Sequence, residues 1–130
     1  MKEIEKCFEY LEAGDYKSAI KFGKKAVERY PQKAEAYYCL GEAYFTAGEI
    51  DRAIENFKKA SACLKKEYEE KAKLLSVMFI NTQEFEPSDP NLALLYKRLG
   101  DAYKRKEDLD TALFYYEKSL LLARDLGFKE

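Results

Sequence analysis

Apolar residues recur every three or four positions in the stretch 34–60, which reads AEAYYCLGEAYFTAGEIDRAIENFKKA. This spacing is typical of amphipathic helices, and it occurs once before and once after the sequence Ala47-Gly48-Glu49. A glycine suits the left-handed position at the end of a helix. The pattern therefore predicts two short helices joined by a tight turn.

The same unit is found three times along the chain. At an offset of 34 residues, Gly14 is matched by Gly48, and the first copy agrees with the second at Tyr10, Ala19, Ile20, Lys24, Lys25 and Ala26. At a further offset of 59 residues, Gly41 is matched by Gly100, and the second copy agrees with the third at Tyr37, Leu40, Ala43, Tyr44 and Ala53. The difference between the offsets leaves about 25 extra residues between the second and third copies. Such internal periodicity predicts a helical-repeat architecture.

Gly41 and Gly100 lie in the middle of predicted helices, where glycine costs about 1 kcal/mol relative to alanine. We expect Gly41 and Gly100 to allow a close approach of the next helix, with the small residues Ala53 and Ala112 facing them. The flanks of the contact would be filled by Tyr37, Tyr44 and Phe57.

Residues 51–85 contain no proline or glycine, and one apolar stripe continues through them. Two interpretations follow: a single helix of about 30 residues, or a break near 65–70 with a separate helix over about 68–81. The charged segment KKEYEEKAK is a strong helix former and favours continuity. The sequence EPSDP at 86–90 predicts a loop, with Asp89 or Asn91 capping the next helix.

The period of 34, the Tyr-x-x-Leu-Gly-x-x-Tyr of residues 37–44, and the following Ala53, Phe57 and Ala60 resemble the tetratricopeptide repeat family. The resemblance covers 1–67 and 93–126. It implies an all-α, right-handed array of helical hairpins in one domain, 1–130. The repeats would span about 1–33, 34–67 and 93–126, with an extended or extra helix in the insertion 68–92.

Five positions depart from the family pattern. The first copy has Lys6 and Cys7 where leucine and glycine are usual, and Gly23 where a large aromatic residue is usual. The third copy has Glu107 at the turn glycine and Ser119 at the last alanine. Terminal copies of repeat arrays are commonly atypical, so the fold prediction is unchanged.

The resemblance also implies a concave groove, lined by the first helix of each repeat, that holds a peptide or a helix of a partner. Its residues would be Ile4, Phe8, Leu11, Tyr38, Glu42, Phe45, Lys97, Asp101, Lys104 and Arg105. Such a groove is aromatic at one end and basic at the other. The aromatic side chains would serve equally well to pack on neighbouring helices or a second subunit, and charged side chains are most often simply solvated.

One specialised groove in this family clamps a chaperone's terminal carboxylate with cationic and amide side chains. The matching positions here hold Ile4, Phe8, Cys39 and Leu94, and only Arg98 agrees. The resemblance therefore argues against a chaperone carboxylate clamp.

Composition narrows the class of function. The 23 basic and 24 acidic residues leave a net charge of −1, which gives no general attraction to nucleic acid or membrane. Histidine is absent, and no phosphate-binding loop or metal-ligand spacing is present, so we expect no enzyme activity, no cofactor and no metal. Three distant cysteines, Cys7, Cys39 and Cys63, are predicted to be reduced and buried. Without a signal peptide, a cytoplasmic location is expected.

The last predicted helix is apolar around much of its circumference, including Leu113, Leu120 and Leu121, with no polar capping helix after it. We expect either segment 68–85 or a second subunit to cover it. The sequence thus predicts a non-catalytic adaptor or assembly module that binds a protein or peptide of unknown identity. The alternative is a self-associating scaffold, a homo-oligomer in which this terminal helix forms the interface.

Overall fold

The computed structural model describes residues 1–78 and 89–125. Predictions for 79–88 and 126–130, including most of the loop expected at 86–90, lie outside the described residues. The described chain is built from six helices: α1 (Lys2–Glu12), α2 (Tyr16–Arg29), α3 (Ala34–Thr46), α4 (Ile50–Met78), α5 (Pro90–Arg105) and α6 (Leu109–Asp125). They pack in sequence order as three hairpins, α1–α2, α3–α4 and α5–α6. The predicted all-α repeat array is confirmed.

Each hairpin makes the same turn. The residue in the left-handed conformation is Gly14 (φ 81°), Gly48 (φ 84°) or Glu107 (φ 63°). In each case the amide of the next residue donates to a carbonyl five positions earlier, which closes the first helix of the hairpin. The third hairpin makes this turn without glycine, at a cost of about 1–2 kcal/mol for an L-residue in that conformation.

Aspartate side chains cap the N-termini of three helices. Asp15 accepts a hydrogen bond from the amide of Ser18 at the start of α2, and Asp108 accepts one from Thr111 at the start of α6. Asp89 accepts one from the amide of Asn91 at 2.8 Å. Of the two residues considered as the cap of α5, the structure therefore selects Asp89.

The mid-helix glycines Gly41 and Gly100 lie under aromatic rings. A methyl group at Gly41 would come within 2.7 Å of Phe57 Cε1, and one at Gly100 within 2.7 Å of Tyr116 Cδ1. The close approach was predicted, but the expected partners, Ala53 and Ala112, are not the nearest atoms. The ring lies one helical turn further along the second helix. Its flat face fills the space left by the absent glycine side chain better than a small residue would.

The insertion begins as a continuation of α4, which runs unbroken for 29 residues. The prediction of one long helix is confirmed up to Met78. Within the extension, the Tyr68 hydroxyl donates to Asp89 Oδ2 at 3.1 Å, which ties the α4 extension to the cap of α5. Leu74 and Val77, further along, are exposed.

The largest core cluster lies around the middle hairpin. Its buried members come from α3, α4 and α5, and partly buried residues of α2 and α6 pack against it. Two smaller clusters join α1, α2 and α3. The central repeat therefore contacts both neighbours, as expected for a stacked array.

The prediction of three reduced cysteines is wrong for two of them. Cys7 of α1 and Cys39 of α3 form a disulfide, with Cα atoms 6.4 Å apart, and both are fully buried. Their sequence separation of 32 hides the pair in the sequence, because only the side-by-side packing of α1 and α3 brings the two sulfur atoms together. Cys63 is free.

Candidate partner-binding groove

The expected groove residues occupy equivalent positions on α1, α3 and α5. At offsets of 34 and 59 residues they form three sets of three: Ile4, Tyr38 and Lys97; Phe8, Glu42 and Asp101; Leu11, Phe45 and Lys104. The character of each set changes from apolar in the first repeat to charged in the third. One surface therefore carries both an apolar end and a basic end.

The first repeat supplies the apolar end. Phe8 and Leu11 are half-buried, whereas Ile4 is buried and packs with Ala26 and Ala36. Ile4 therefore contributes to the core between α1, α2 and α3. Phe8 is left as the main aromatic side chain that α1 presents to the groove.

In the second repeat, Tyr38 lies at the centre of an aromatic row. Its ring centroid is 6.3 Å from that of Phe8 and 6.1 Å from that of Phe57, which connects the groove surface to the core. Burial, reinforced by the charge of Glu42, raises the pKa of the Tyr38 hydroxyl. The Arg98 guanidinium, which also interacts with this hydroxyl, acts in the opposite direction.

An apolar cleft opens next to Tyr38. It contains ≈ 540 Å³ of space that is not filled by protein and is open to solvent. The lining residues come from α1, α3, α4 and α5: Phe8, Ala34, Glu35, Tyr38, Leu64, Asn91, Leu94 and Leu95. Apart from Glu35 and Asn91 these are apolar, so the cleft is suited to a large apolar side chain with polar groups at its rim.

Acidic and basic side chains cross the groove between α3 and α5. Arg98 Nε lies 2.6 Å from Glu42 Oε1, and Arg98 Nη1 lies 3.5 Å from Asp101 Oδ2. The Glu42 contact is an ion pair without hydrogen-bond geometry, and both of its atoms are buried. Asp101 also accepts a hydrogen bond from the Tyr116 hydroxyl of α6.

Burial affects the acidic members of this network. It raises the pKa of the Glu42 carboxyl above its ordinary value of 4.5, although the Arg98 charge acts in the opposite direction. Burial and the hydrogen bond to Asp101 raise the pKa of Tyr116 to about 12. Both carboxylates are thus engaged with partners inside the protein rather than presented to a ligand.

The basic end of the groove has exposed cations on α5. Lys97, Lys104 and Arg105 are exposed, and none of them forms an ion pair with any residue in 1–78 or 89–125. The Arg105 guanidinium lies 5.4 Å from the centre of the Phe45 ring. This contact orients the charge above an aromatic surface while leaving it accessible to a ligand.

Sequence reasoning did not give Arg98 and Tyr116 a role in the groove. Arg98 matches only a position of the chaperone carboxylate clamp and is not part of the groove pattern. Tyr116 belongs to the second helix of its hairpin, which the groove pattern does not include. The spacing of Arg98 and Asp101, three residues apart on one helix, was the available signal. The contribution of Leu64 and Leu95 to the cleft depends on how α4 and α5 cross, which no local pattern reveals.

Two further findings concern membranes and metals. None of the helices in the described ranges combines the length and the apolar character needed to cross a bilayer. Among the same residues, no three His, Cys, Asp or Glu side chains are grouped as metal ligands.

Similar folds occur among solved structures. MamA from residue 41 to its end, from Desulfovibrio magneticus RS-1, superimposes with a TM-score of 0.71 at 24% identity, over 95% of this chain and 55% of that one. The N-terminal domain of stress-induced protein-1 from C. elegans superimposes with a TM-score of 0.73 at 18% identity, over 95% of this chain and 83% of that one. This chain thus spans about half of the MamA chain. At these identities the likeness concerns the fold alone.

A search of curated protein sequences finds no match. Family models give a clear result, because two models described as tetratricopeptide repeat match residues 10–75 and 91–126. The first covers half of the chain, and the second covers the third hairpin. The chain therefore belongs to the tetratricopeptide repeat family of protein-interaction modules.

Proposed function

We propose that the groove binds a segment of a partner protein that carries one large apolar side chain and an acidic group, and that the protein acts as a non-catalytic adaptor or assembly module. The observation that carries the proposal is the combination, on one surface, of the apolar cleft at Tyr38 and the cations Lys97, Lys104 and Arg105. The pairing of Glu42 and Asp101 with Arg98 supports it, since the Arg98 charge offsets part of the negative charge that would repel such a ligand.

The apolar end and the basic end of the groove contribute differently to the affinity and the selectivity of binding. Burial of one large apolar side chain is worth about 1.5–3 kcal/mol. Each exposed ion pair at the basic end is worth about 0.2–1 kcal/mol. The cleft therefore supplies most of the affinity, and the cations select acidic segments over basic ones and raise the association rate.

Helix geometry gives the spacing between the two features of the ligand. Leu94 at the cleft and Lys104 at the basic end are ten residues apart on α5, which corresponds to about 15 Å. An extended segment covers that distance in about five residues. We therefore expect ligands with an apolar side chain and an acid separated by about five residues.

Selection from a library of displayed random peptides tests the proposal. Phe45→Ala combined with Lys104→Glu removes the aromatic support and reverses one cation at the basic end. The matched control, Tyr16→Ala with Lys24→Glu, makes the same two kinds of change on exposed residues of α2. We expect selected peptides to bind the wild type and the control alike, and the groove variant at least about tenfold more weakly.

Two results would contradict the proposal. One is a set of selected peptides without acidic residues, and the other is equal binding to the wild type and the groove variant. Tyr38→Ala then separates the two ends of the groove, because it enlarges the cleft and should weaken all selected peptides, whatever their charge.

A chaperone carboxylate clamp remains disfavoured on this proposal. Arg98, the one position that agrees with such a clamp, is engaged by Glu42 and Asp101 and is not presented to a ligand. The expected cytoplasmic location stays a prediction. The Cys7–Cys39 disulfide bears on it, since such bonds are commonest in oxidising compartments and in thermophilic organisms.

A second candidate function is supported by a different surface. Large apolar side chains of α6, including Leu113, Leu120 and Leu121, are exposed. A self-associating scaffold would cover them, and exposed apolar patches commonly mark interfaces. Because α6 lies apart from the groove cleft, the two functions are compatible.

A further inference from the structure

The outer face of α6 holds the largest group of exposed apolar side chains on any one helix among the described residues. Five side chains are 43–65% exposed: Leu109, Leu113, Phe114, Leu120 and Leu121. At 100° per residue they form two rows, with Leu109, Leu113 and Leu120 in one and Phe114 and Leu121 in the other. Between the rows lie the exposed Glu117 and Arg124.

The first row occupies the position that stacks on the next repeat elsewhere in the chain. Leu113 corresponds to Ile54 of α4 and Ile20 of α2, and both of these pack into the core cluster between repeats. Leu113 and its row are therefore a stacking surface without a described neighbour.

The positions of the second row are exposed to solvent in the other repeats. Phe114 corresponds to Glu55 and Lys21, and Leu121 corresponds to Ala62 and Glu28; all four of these residues are exposed. A helix that stacked as the next repeat would thus leave Phe114 and Leu121 in water. The occupant of this face must reach beyond the ordinary stacking position.

Head-to-tail stacking on a second copy is disfavoured by the outer face of α1. Lys6 stands where α3 and α5 carry Leu40 and Leu99, and it lies 5.4 Å from the centre of the Phe22 ring. Glu3 is held by Arg29 and Tyr30. This polar face would place charges against the α6 leucines.

The charges on α6 are self-complementary when two copies run in opposite directions. Glu117 and Arg124 are seven residues, or two turns, apart, and neither forms an ion pair among the described residues. About a twofold axis beside Leu120 and Leu121, the Glu117 of one copy meets the Arg124 of the other, twice. A parallel pair would instead bring like charges together.

We propose that α6 pairs antiparallel with α6 of a second copy of this chain, so that the two apolar rows are buried around two reciprocal Glu117–Arg124 ion pairs. Half-exposure of five large side chains corresponds to apolar surface on the order of 500 Å² per copy. A stable interface buries about 800 Å² per partner, so the dimer is a weak one that forms in the micromolar range. The inference deepens the second candidate function and is independent of ligand binding in the groove.

Sedimentation equilibrium over a range of concentrations tests this arrangement. We expect the wild type to dimerise, and Leu121→Glu to raise the dimer Kd at least about tenfold. Glu117→Arg and Arg124→Glu should each weaken the dimer, whereas the double exchange Glu117→Arg with Arg124→Glu should restore it. Glu28→Arg, an exposed change on α2, should have no effect.

The variants at Glu28, Glu117, Leu121 and Arg124 alter exposed side chains, and circular dichroism would check that their melting temperatures are unchanged. A wild type that stays monomeric at several hundred micromolar would overturn both the interface and the scaffold function. A dimer that Leu121→Glu leaves intact would overturn the interface alone. Loss of the dimer in the double exchange would overturn the antiparallel arrangement. Assemblies larger than a dimer that become more stable with Lys6→Leu would also overturn it, because they would indicate head-to-tail stacking of α6 on α1. Peptide binding by monomeric Leu121→Glu reports on the groove separately.

Discussion

The first repeat and the two that follow it reach the same hairpin geometry by opposite choices of side chain. In the second repeat Gly41 lies under Phe57, and in the third Gly100 lies under Tyr116. In the first repeat the equivalent residues are Cys7 and Gly23, so the side chain and the empty space have changed helices.

This exchange changes which helices are in contact at this position. Cys7 bonds to Cys39 of the next hairpin, and the space at Gly23 is taken by Leu40, whose Cδ1 would lie 3.0 Å from an added methyl group. The second and third hairpins are therefore closed by contacts within the repeat. At the same position the first hairpin is instead tied to α3 of its neighbour, in addition to the packing of α1 on α2.

The same difference is visible in the groove. Phe8 of the first repeat stands where the second and third repeats carry Glu42 and Asp101, both of which contact Arg98. The first repeat thus gives the groove an apolar end, and the other two give it a charged centre. A repeat fold tolerates such exchanges because each position is constrained by volume and burial more than by residue type.

The largest expected effect comes from the bond between the first and second repeats. Replacing Cys7 and Cys39 by Ala should lower the free energy of unfolding by about 3–4 kcal/mol, as expected for a loop of this length in the chain-entropy model. Urea denaturation measures the loss. Alkylation followed by mass spectrometry checks the pairing: the protein unfolded without reduction should take one label, at Cys63, and the reduced and unfolded protein three. Three labels without reduction would contradict the disulfide.

The next effect tests closure within the second repeat. Gly41→Leu should lower the free energy of unfolding by at least about 1–3 kcal/mol, because even its first carbon would press on the fully buried Phe57 ring. Ala62→Leu, an exposed change on α4, is the control and should be nearly neutral. Equal melting temperatures for the two variants would mean that Gly41 is not the point of contact.

A smaller effect compares the turns of the second and third repeats. Glu107→Gly should raise the free energy of unfolding by about 1 kcal/mol, since glycine adopts the left-handed conformation without a clash between Cβ and the backbone. The reverse change, Gly48→Glu, should lower it by a similar amount. Thermal denaturation followed by circular dichroism measures both, and a destabilised Glu107→Gly would show that the Glu107 side chain has a role of its own.

The smallest effect concerns the charged centre of the groove. The folded protein raises the pKa of Glu42, so it binds that proton more tightly than the unfolded chain does. The resulting stability is fully present below the ordinary value of 4.5 and is lost as the pH rises through the raised value. The stability of Glu42→Gln relative to the wild type should therefore increase over this interval. Unfolding free energies at several pH values from 4 to 7 would measure it, and a constant difference would contradict the shift.

Much of the fold was predictable from local pattern. The three hairpins and their turns at Gly14, Gly48 and Glu107 follow from helical periodicity and turn residues. Helix propensity favoured a continuous α4 but left a break near 65–70 as an alternative. The groove was predictable only as a set of equivalent positions. Its cleft depends on Leu64 and Leu95, and its central ion pairs depend on Arg98, none of which the repeat pattern singles out.

By itself, the sequence determined the number of repeats, the type of each element and the side of each first helix that lines the proposed groove. These features depend on which side of each helix is apolar. That side can be read from the sequence because backbone hydrogen bonding fixes the helical period at 3.6 residues. Only the tertiary structure decided that rings and not alanines cover Gly41 and Gly100, that Cys7 bonds to Cys39, and that Arg98 pairs with the acids of the groove. Those choices depend on the register and angle at which separate helices cross, because a shift of one side chain along a helix changes every partner it meets.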